Sequence, residues 1–259
     1  MEIINLSQPV YEGMFKYPTD PEPKLERTLA KIEKIEIPLY DESGMSSGAG
    51  YEEIKYKSGH TLITARNHLG THIDAPAHKI VTGSTIDEYP ASYFVNTFEL
   101  LDLTERKFGC TPSTLIRQKD LGEITLNRNI GAIILNTGYS EMLQSRINEK
   151  RPISKNEKEE LENKFTYLCK EIIDRLKDTY TSLKIIGIDS FSVDAKGSNS
   201  EVHRKMFEYG ILPIENLWNL DLLRRALKNN SSKKATLYAI PSNITGGDAA
   251  PTTAFVQIG

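Results

Sequence analysis

Three of the chain's five histidines stand in one short stretch, His68-Leu-Gly-Thr-His72-Ile-Asp74-Ala-Pro-Ala-His78. A carboxylate follows the middle histidine by two residues, and a glycine and a proline interrupt the run. Neutral imidazole and ionised carboxylate both offer lone pairs, and together they suit Zn, Mn, Fe or Ni. The stretch therefore reads as a metal site. Scattered hydrogen-bonded polar residues at a strand edge would account for one histidine well, but for three with an aspartate poorly.

A helical HExxH arrangement does not fit, because Gly70 and Pro76 break the stretch and no glutamate follows His68. The preceding residues 62–67 read as extended. His68, His72, Asp74 and His78 share parity, so an extended chain aims all four to one side. Pro76 would interrupt a central strand, so the second half is expected to leave the sheet as a turn, with Gly70 giving the backbone room.

A second constellation lies far away in sequence. Gly187-Ile-Asp189-Ser-Phe191-Ser-Val-Asp194 follows an apolar run, and His203 then sits on an expected helix, with Glu215 beyond the Gly210 stop. If the chain folds back there, His203 and Glu215 reach one point, although a histidine on a helix surface needs no function. Asp189 and Asp194 read as caps or turn residues. Tyr17, Tyr139 and Phe191 lie near the motifs and are candidates for lining an aryl substrate pocket, with core packing as the competing account.

The elements that must hold these groups are short. Apolar runs bounded by turn residues predict strands at 2–6, 62–67, 97–103, 131–136, 184–188 and 235–240. The last three read as strands buried on both faces. Ser154 with Glu157 is a capping-box signature for a helix running to about residue 179. Shorter helices are expected at 113–119, 200–209 and 220–228. Strands and helices mix along the whole length, which favours a single α/β domain with surface insertions around 20–60 and 105–130.

Composition narrows the classes further. The 259 residues carry a net charge of −3, with neither sign concentrated, which argues against a nucleic-acid-binding surface. Two cysteines, Cys110 and Cys169, are too few for a disulfide framework. Neither a secretory leader nor a membrane-length apolar run is evident, so the expectation is a cytoplasmic protein without membrane or nucleic-acid partners.

The motif His-x-Gly-Thr-His-x-Asp-x-Pro-x-His, matched at all its fixed positions from His68 to His78, resembles that of the metal-dependent cyclase family, which includes bacterial kynurenine formamidase (arylformamidase) and isatin hydrolase. Ile3-Ile-Asn-Leu-Ser-Gln-Pro, Thr137-Gly138-Tyr139, Gly187-Ile-Asp189-x-x-Ser192-x-Asp194, His203-Arg and Glu215-Asn-Leu are similar to further family segments. Tyr17-Pro-Thr-Asp20-Pro departs from the family's Pro-Gly-Asp-Pro, and the closing stretch around Asp248 matches only loosely.

The resemblance implies a swivelling β/β/α fold with a mixed, barrel-like sheet and flanking helices, assembled as a homodimer or homotetramer. It implies that His68, His72 and Asp74 hold a divalent ion, Zn or Mn, and that Asp74, His203 and Glu215 hold a second where two are present. His78 takes the acid–base role. The expected activity is hydrolysis of a C–N amide bond in a small aryl formamide or lactam by attack of a metal-bound hydroxide. A lactone hydrolase, a dehydrating cyclase and a non-catalytic metal-binding or small-molecule-binding protein are the alternatives. The absence of a Gly-x-Ser-x-Gly elbow disfavours a serine hydrolase.

Overall fold

The computed structural model describes residues 1–12, 14, 16, 21–28, 31–40, 46–57, 59–104, 114–124, 126–149, 152–230 and 234–259. Its strands are β1 (Glu2–Asn5), β2 (Lys24–Thr28), β3 (Lys31–Tyr40), β4 (Ser46–Lys57), β5 (His60–Thr64), β6 (His72–Asp74), β7 (Val95–Asp102), β8 (Thr114–Ile116), β9 (Ala132–Asn136), β10 (Thr166–Leu168), β11 (Ile185–Ile188), β12 (Leu212–Glu215), β13 (Ala235–Pro241) and β14 (Ala249–Ile258). Its helices are α1 (Tyr139–Glu149), α2 (Lys155–Lys164), α3 (Glu171–Thr179), α4 (Glu201–Glu208) and α5 (Leu220–Asn229).

The chain divides into two compact units. Glu22–Ala65 forms the smaller, in which β2 pairs with β5 and β3 with β4, both antiparallel. Met1–Pro21 with Arg66–Gly259 forms the larger.

In the larger unit a ring of strands closes in the order β14-β13-β7-β9-β11-β12-β6 and back to β14. The run β7-β9-β11-β12 is parallel and the remaining pairings are antiparallel. Parallel neighbours need crossover connections, and α1 to α3 supply the one between β9 and β11 while α4 supplies the one between β11 and β12. This is the mixed, barrel-like α/β architecture expected from the sequence.

Strands β9 and β11 are buried at every residue, as their continuous apolar runs predict. Their side chains alternate between two cores. Ile133, Leu135, Ile186 and Ile188 pack with Ile172, Ile173 and Leu176 of α3 and Val202 and Met206 of α4. Ala132, Ile134 and Ile185 instead join Ile73, Ile214, Leu237, Val256 and the α5 residues Leu220 and Leu223.

Three local expectations are corrected. The helix expected from 154 to about 179 is two helices separated by β10, because Thr166–Leu168 pairs in parallel with Thr114–Ile116. The capping box itself forms, with Ser154 accepting from Glu157 N and the Glu157 side chain reaching back to Ser154. The helix expected at 113–119 is strand β8 followed by a 3-10 turn at Gln118–Leu121, the described residues beginning at Thr114. Strand β13 is not buried on both faces: Leu237 and Ala239 face the core while Ile240 is exposed.

The histidine stretch also differs from one extended run. Residues 67–71 turn first, with Gly70 at φ +63°. The three-residue β6 follows, and a 3-10 turn at Pro76–His78 then leaves the sheet. Pro76 occupies the first position of that turn, where no N–H is needed.

Candidate metal centre and active site

Register places the first donors. Strand β6 runs between β12 and β14, with His72 opposite Glu215 on one side and Asp74 opposite Ala249 on the other. His72 and Asp74 have the same parity, so both present to one face. The His72 Nε2 lies 3.3 Å from Asp74 Oδ1 and 3.5 Å from Glu215 Oε2. The turn before β6 brings His68 Nδ1 to 2.9 Å from Asp74 Oδ1. Thr71 locks this turn, its hydroxyl donating to Asn216 O at 2.6 Å and accepting from Gln8 N at 2.8 Å.

Helix α4 delivers the third imidazole. Its inward stripe is Val202, His203, Met206 and Phe207, all buried. Asp194 caps the helix, accepting from the backbone N–H of Val202 and of His203 at 3.0 and 3.1 Å. The His203 Nε2 stands 3.0 Å from Asp74 Oδ2 and 3.4 Å from Glu215 Oε1. His68, His72, Asp74, His203 and Glu215 are thus brought to one locus.

Each imidazole is held from behind by an acceptor. His72 Nδ1 donates to the Gly70 carbonyl at 2.9 Å, a group that can only accept. His203 Nδ1 donates to Asp194 Oδ2 at 2.5 Å. His68 Nε2 donates to Asp248 Oδ2 at 2.9 Å, and His78 Nδ1 donates to the same oxygen at 3.1 Å. With one N–H spent outward, the neutral forms of His68, His72 and His203 turn a lone pair on Nδ1, Nε2 and Nε2 respectively toward carboxylate oxygens. Outer acceptors of this kind fix the tautomer of metal-ligating histidines.

The donor set therefore fits a divalent ion. Asp74 Oδ1 is buried and has no hydrogen bond, although His68 Nδ1 is only 2.9 Å away. A cation shared by the two atoms accounts for that proximity, a proton in the metal-free protein or a divalent ion in its place. One ligand atom each from His68, His72 and Asp74 lies within 4.8 Å of the others, and the same holds for Asp74, His78 and His203 and for His68, His78 and Asp248.

The titration behaviour follows the geometry. Burial opposes the charged imidazole of His68, but Asp74 and Asp248 outweigh it and raise its pKa to about 9. Burial likewise opposes protonation of His203, yet Asp194, Asp74 and Glu215 hold it well above the usual histidine value. Asp74 is itself buried, but the surrounding histidines hold its carboxyl well below the carboxylate range. His78 goes the other way: burial is the main cause of its lowered pKa, with His68, Lys79 and His203 adding to it. Neutral His78 is available to accept a proton.

A cavity of about 450 Å³ opens onto this cluster, lined among others by His78, Lys79, Phe191, Ser192, Ala195 and Asn216. Phe191 lines the cavity and packs on Phe165 in a tilted pair, 4.2 Å between centroids. Tyr139 is not among the lining residues. It is buried behind Phe191, and its hydroxyl donates to Leu161 O at 3.0 Å. Tyr17 lies outside the described residues.

Two acids matter more here than their sequence context suggested. Asp194 caps α4, as expected, and also orients His203. Asp248 holds both His68 and His78, with Asn67 Nδ2 donating to its other oxygen at 2.7 Å. Asp189 is a cap alone, accepting from the backbone of Thr137 and Ser140 at the start of α1. The Gly246-Gly247-Asp248 turn was visible in sequence, but nothing local indicated that β14 would lie beside β6.

The sequence profile of the Cyclase family matches residues 4–195, and the chain belongs to that family. It is 25% identical over 258 residues to the kynurenine formamidase of Salinibacter ruber, covering 99% of this chain and 98% of that one. Isatin hydrolase A from Labrenzia aggregata, solved with benzyl benzoate, shares the fold with a TM-score of 0.64 at 18% identity, over 98% of this chain and 93% of that one. A structure described as a potential metal-dependent hydrolase with cyclase activity aligns with a TM-score of 0.63 at 21% identity, over 98% and 96%. The chain is an enzyme of this family.

Proposed function

We propose that the protein is a divalent-metal-dependent hydrolase that cleaves the C–N amide bond of a small aryl formamide or lactam. The observation that carries this reading is the convergence of His68, His72, His203, Asp74 and Glu215 on one locus, each imidazole locked from behind. These five residues would hold the ion or ions. A divalent ion, Zn or Mn, supplies Lewis acidity and lowers the pKa of water from about 15.7 toward about 7.

His78 performs the proton transfers in this reading. Its Nδ1–H is committed to Asp248, so Nε2 carries the free lone pair. That atom takes a proton from the attacking water and returns it to the leaving nitrogen, the general acid–base role a neutral imidazole can fill at neutral pH. Phe191 and Ala195 provide an apolar wall suited to an aryl group. The names of the relatives, kynurenine formamidase and isatin hydrolase, support both the bond type and the aryl substrate. As the family resemblance implies, the working assembly is a homodimer or homotetramer.

The test is a matrix of metals and substrates. Metal-free protein reloaded with Zn or Mn is assayed on N-formylkynurenine, isatin and simple lactones. The proposal expects turnover of an amide or lactam that depends on the added ion. Turnover of lactones alone, or of nothing in any combination, contradicts it.

A further inference from the structure

We propose that Lys79 determines specificity: its ammonium receives an anionic group, a carboxylate above all, on the substrate. The inference takes its substrate from the amide-hydrolase reading above, but its test does not depend on turnover.

The acids of the cavity and of the histidine cluster it opens onto are already engaged. Asp74 faces His68, His72 and His203, and Glu215 faces His72 and His203 while accepting from Val193 N at 2.8 Å. Asp194 is held by His203, and Asp248 by His68, His78 and Asn67. Two cationic side chains line the same cavity, Arg66 and Lys79. Lys79 is half-buried, directly follows His78, and is fixed by its backbone N–H donating to Pro76 O at 3.0 Å. Among the described residues no carboxylate pairs with its ammonium, and the acids lining the cavity, Asp194, Glu215 and Asp248, each face a histidine.

A cation that lines the cavity without a counter-charge offers an anionic ligand group an ion-pair partner. Phe191 and Ala195 line the same space, so the cavity combines an apolar wall with a cation beside the acid–base histidine. Its volume of about 450 Å³ lies in the range of small-molecule sites. An aryl compound carrying a carboxylate matches all three features.

The test is calorimetric binding of anthranilate and of its neutral analogue anthranilamide to the zinc-loaded protein. A hydrogen-bonded ion pair predicts that anthranilate binds about tenfold more tightly. Lys79→Met removes that advantage and Lys79→Arg retains it, with unchanged thermal melting showing that both variants fold. Equal binding of the two compounds, no measurable binding of anthranilate, or an advantage that survives Lys79→Met overturns the assignment. Failure of the substrate matrix would strike the hydrolase reading and leave this comparison intact.

Discussion

His203 Nε2 stands 3.0 Å from Asp74 Oδ2, although 129 residues of chain separate them. The closure of the barrel through β6 makes this contact, because a three-residue strand wedged between β12 and β14 brings the histidine motif to Glu215 and to the end of the cavity where α4 begins. The consequences of that placement can be tested residue by residue.

His72 and His78 should separate binding from chemistry. His72→Ala removes a buried inward lone pair and is expected to lose both metal and turnover. His78→Ala is expected to keep the metal and lose about 10²–10⁴-fold in kcat, the range for a removed general acid–base group. Metal content by mass spectrometry beside steady-state kinetics reads both. Full activity in His78→Ala would refute its role.

Asp194 acts through His203. Asp194→Asn keeps the shape of the α4 cap but loses the charge that fixes the His203 tautomer. Metal affinity is expected to fall about 10–100-fold, as for other outer partners of ligating histidines. A chelator competition titration measures it. Wild-type affinity in this variant would mean that Asp194 serves the helix alone.

Gly83 supports the turn that carries His78. A Cβ there would meet Pro76 C at 2.5 Å and Ala77 N at 2.7 Å, both backbone atoms that cannot swing away. Gly83→Ala should therefore displace the Pro76–His78 turn, lowering kcat by at least about tenfold and costing on the order of 1–3 kcal/mol of stability. Metal binding by His68, His72 and Asp74 should survive. Unchanged kcat would show that the position of His78 tolerates the shift.

Protons should compete with the metal. In the metal-free protein His68 has a pKa raised to about 9 and His203 lies well above its usual value, so both hold protons at neutral pH. Metal binding must release those protons, so affinity is expected to rise with pH between about 6 and 9. The stability signs follow. A raised folded-state pKa stabilises fully below the unfolded value near about 6.5 and is lost as pH rises through the folded value. The gain in melting temperature on adding zinc should therefore widen from pH 6 to pH 9. Calorimetry in two buffers of different ionisation enthalpy counts the protons, and a gain that narrows over this interval would contradict the assignment.

Local chemistry was legible in the sequence where it rested on spacing. The donors His68, His72 and Asp74, the Ser154 capping box and the apolar runs of β9 and β11 all express patterns within a few residues. What was hidden depends on strand pairing between distant segments. Asp248 reaches His68 and His78 because β14 lies beside β6, and the apparent helix of residues 154–179 is cut because Thr166–Leu168 finds a partner in β8. Leu161, Phe165, Leu168, Ile172 and Leu176 keep a helical spacing across that break, and each is buried. Burial alone cannot tell one helix from helix, strand and helix. The His203 and Glu215 pair was weak on its own and gained weight only from the family resemblance, since nothing local aligns a helix face with the end of a strand.

The central claim is that the imidazoles of His68 and His72 and the carboxylate of Asp74 share one divalent cation. Diffraction from zinc-soaked crystals on either side of the zinc absorption edge tests it directly. The account predicts an anomalous peak within coordination distance of His68 Nδ1, His72 Nε2 and Asp74 Oδ1. A fully loaded crystal with no peak there, or with zinc bound only elsewhere, would contradict it.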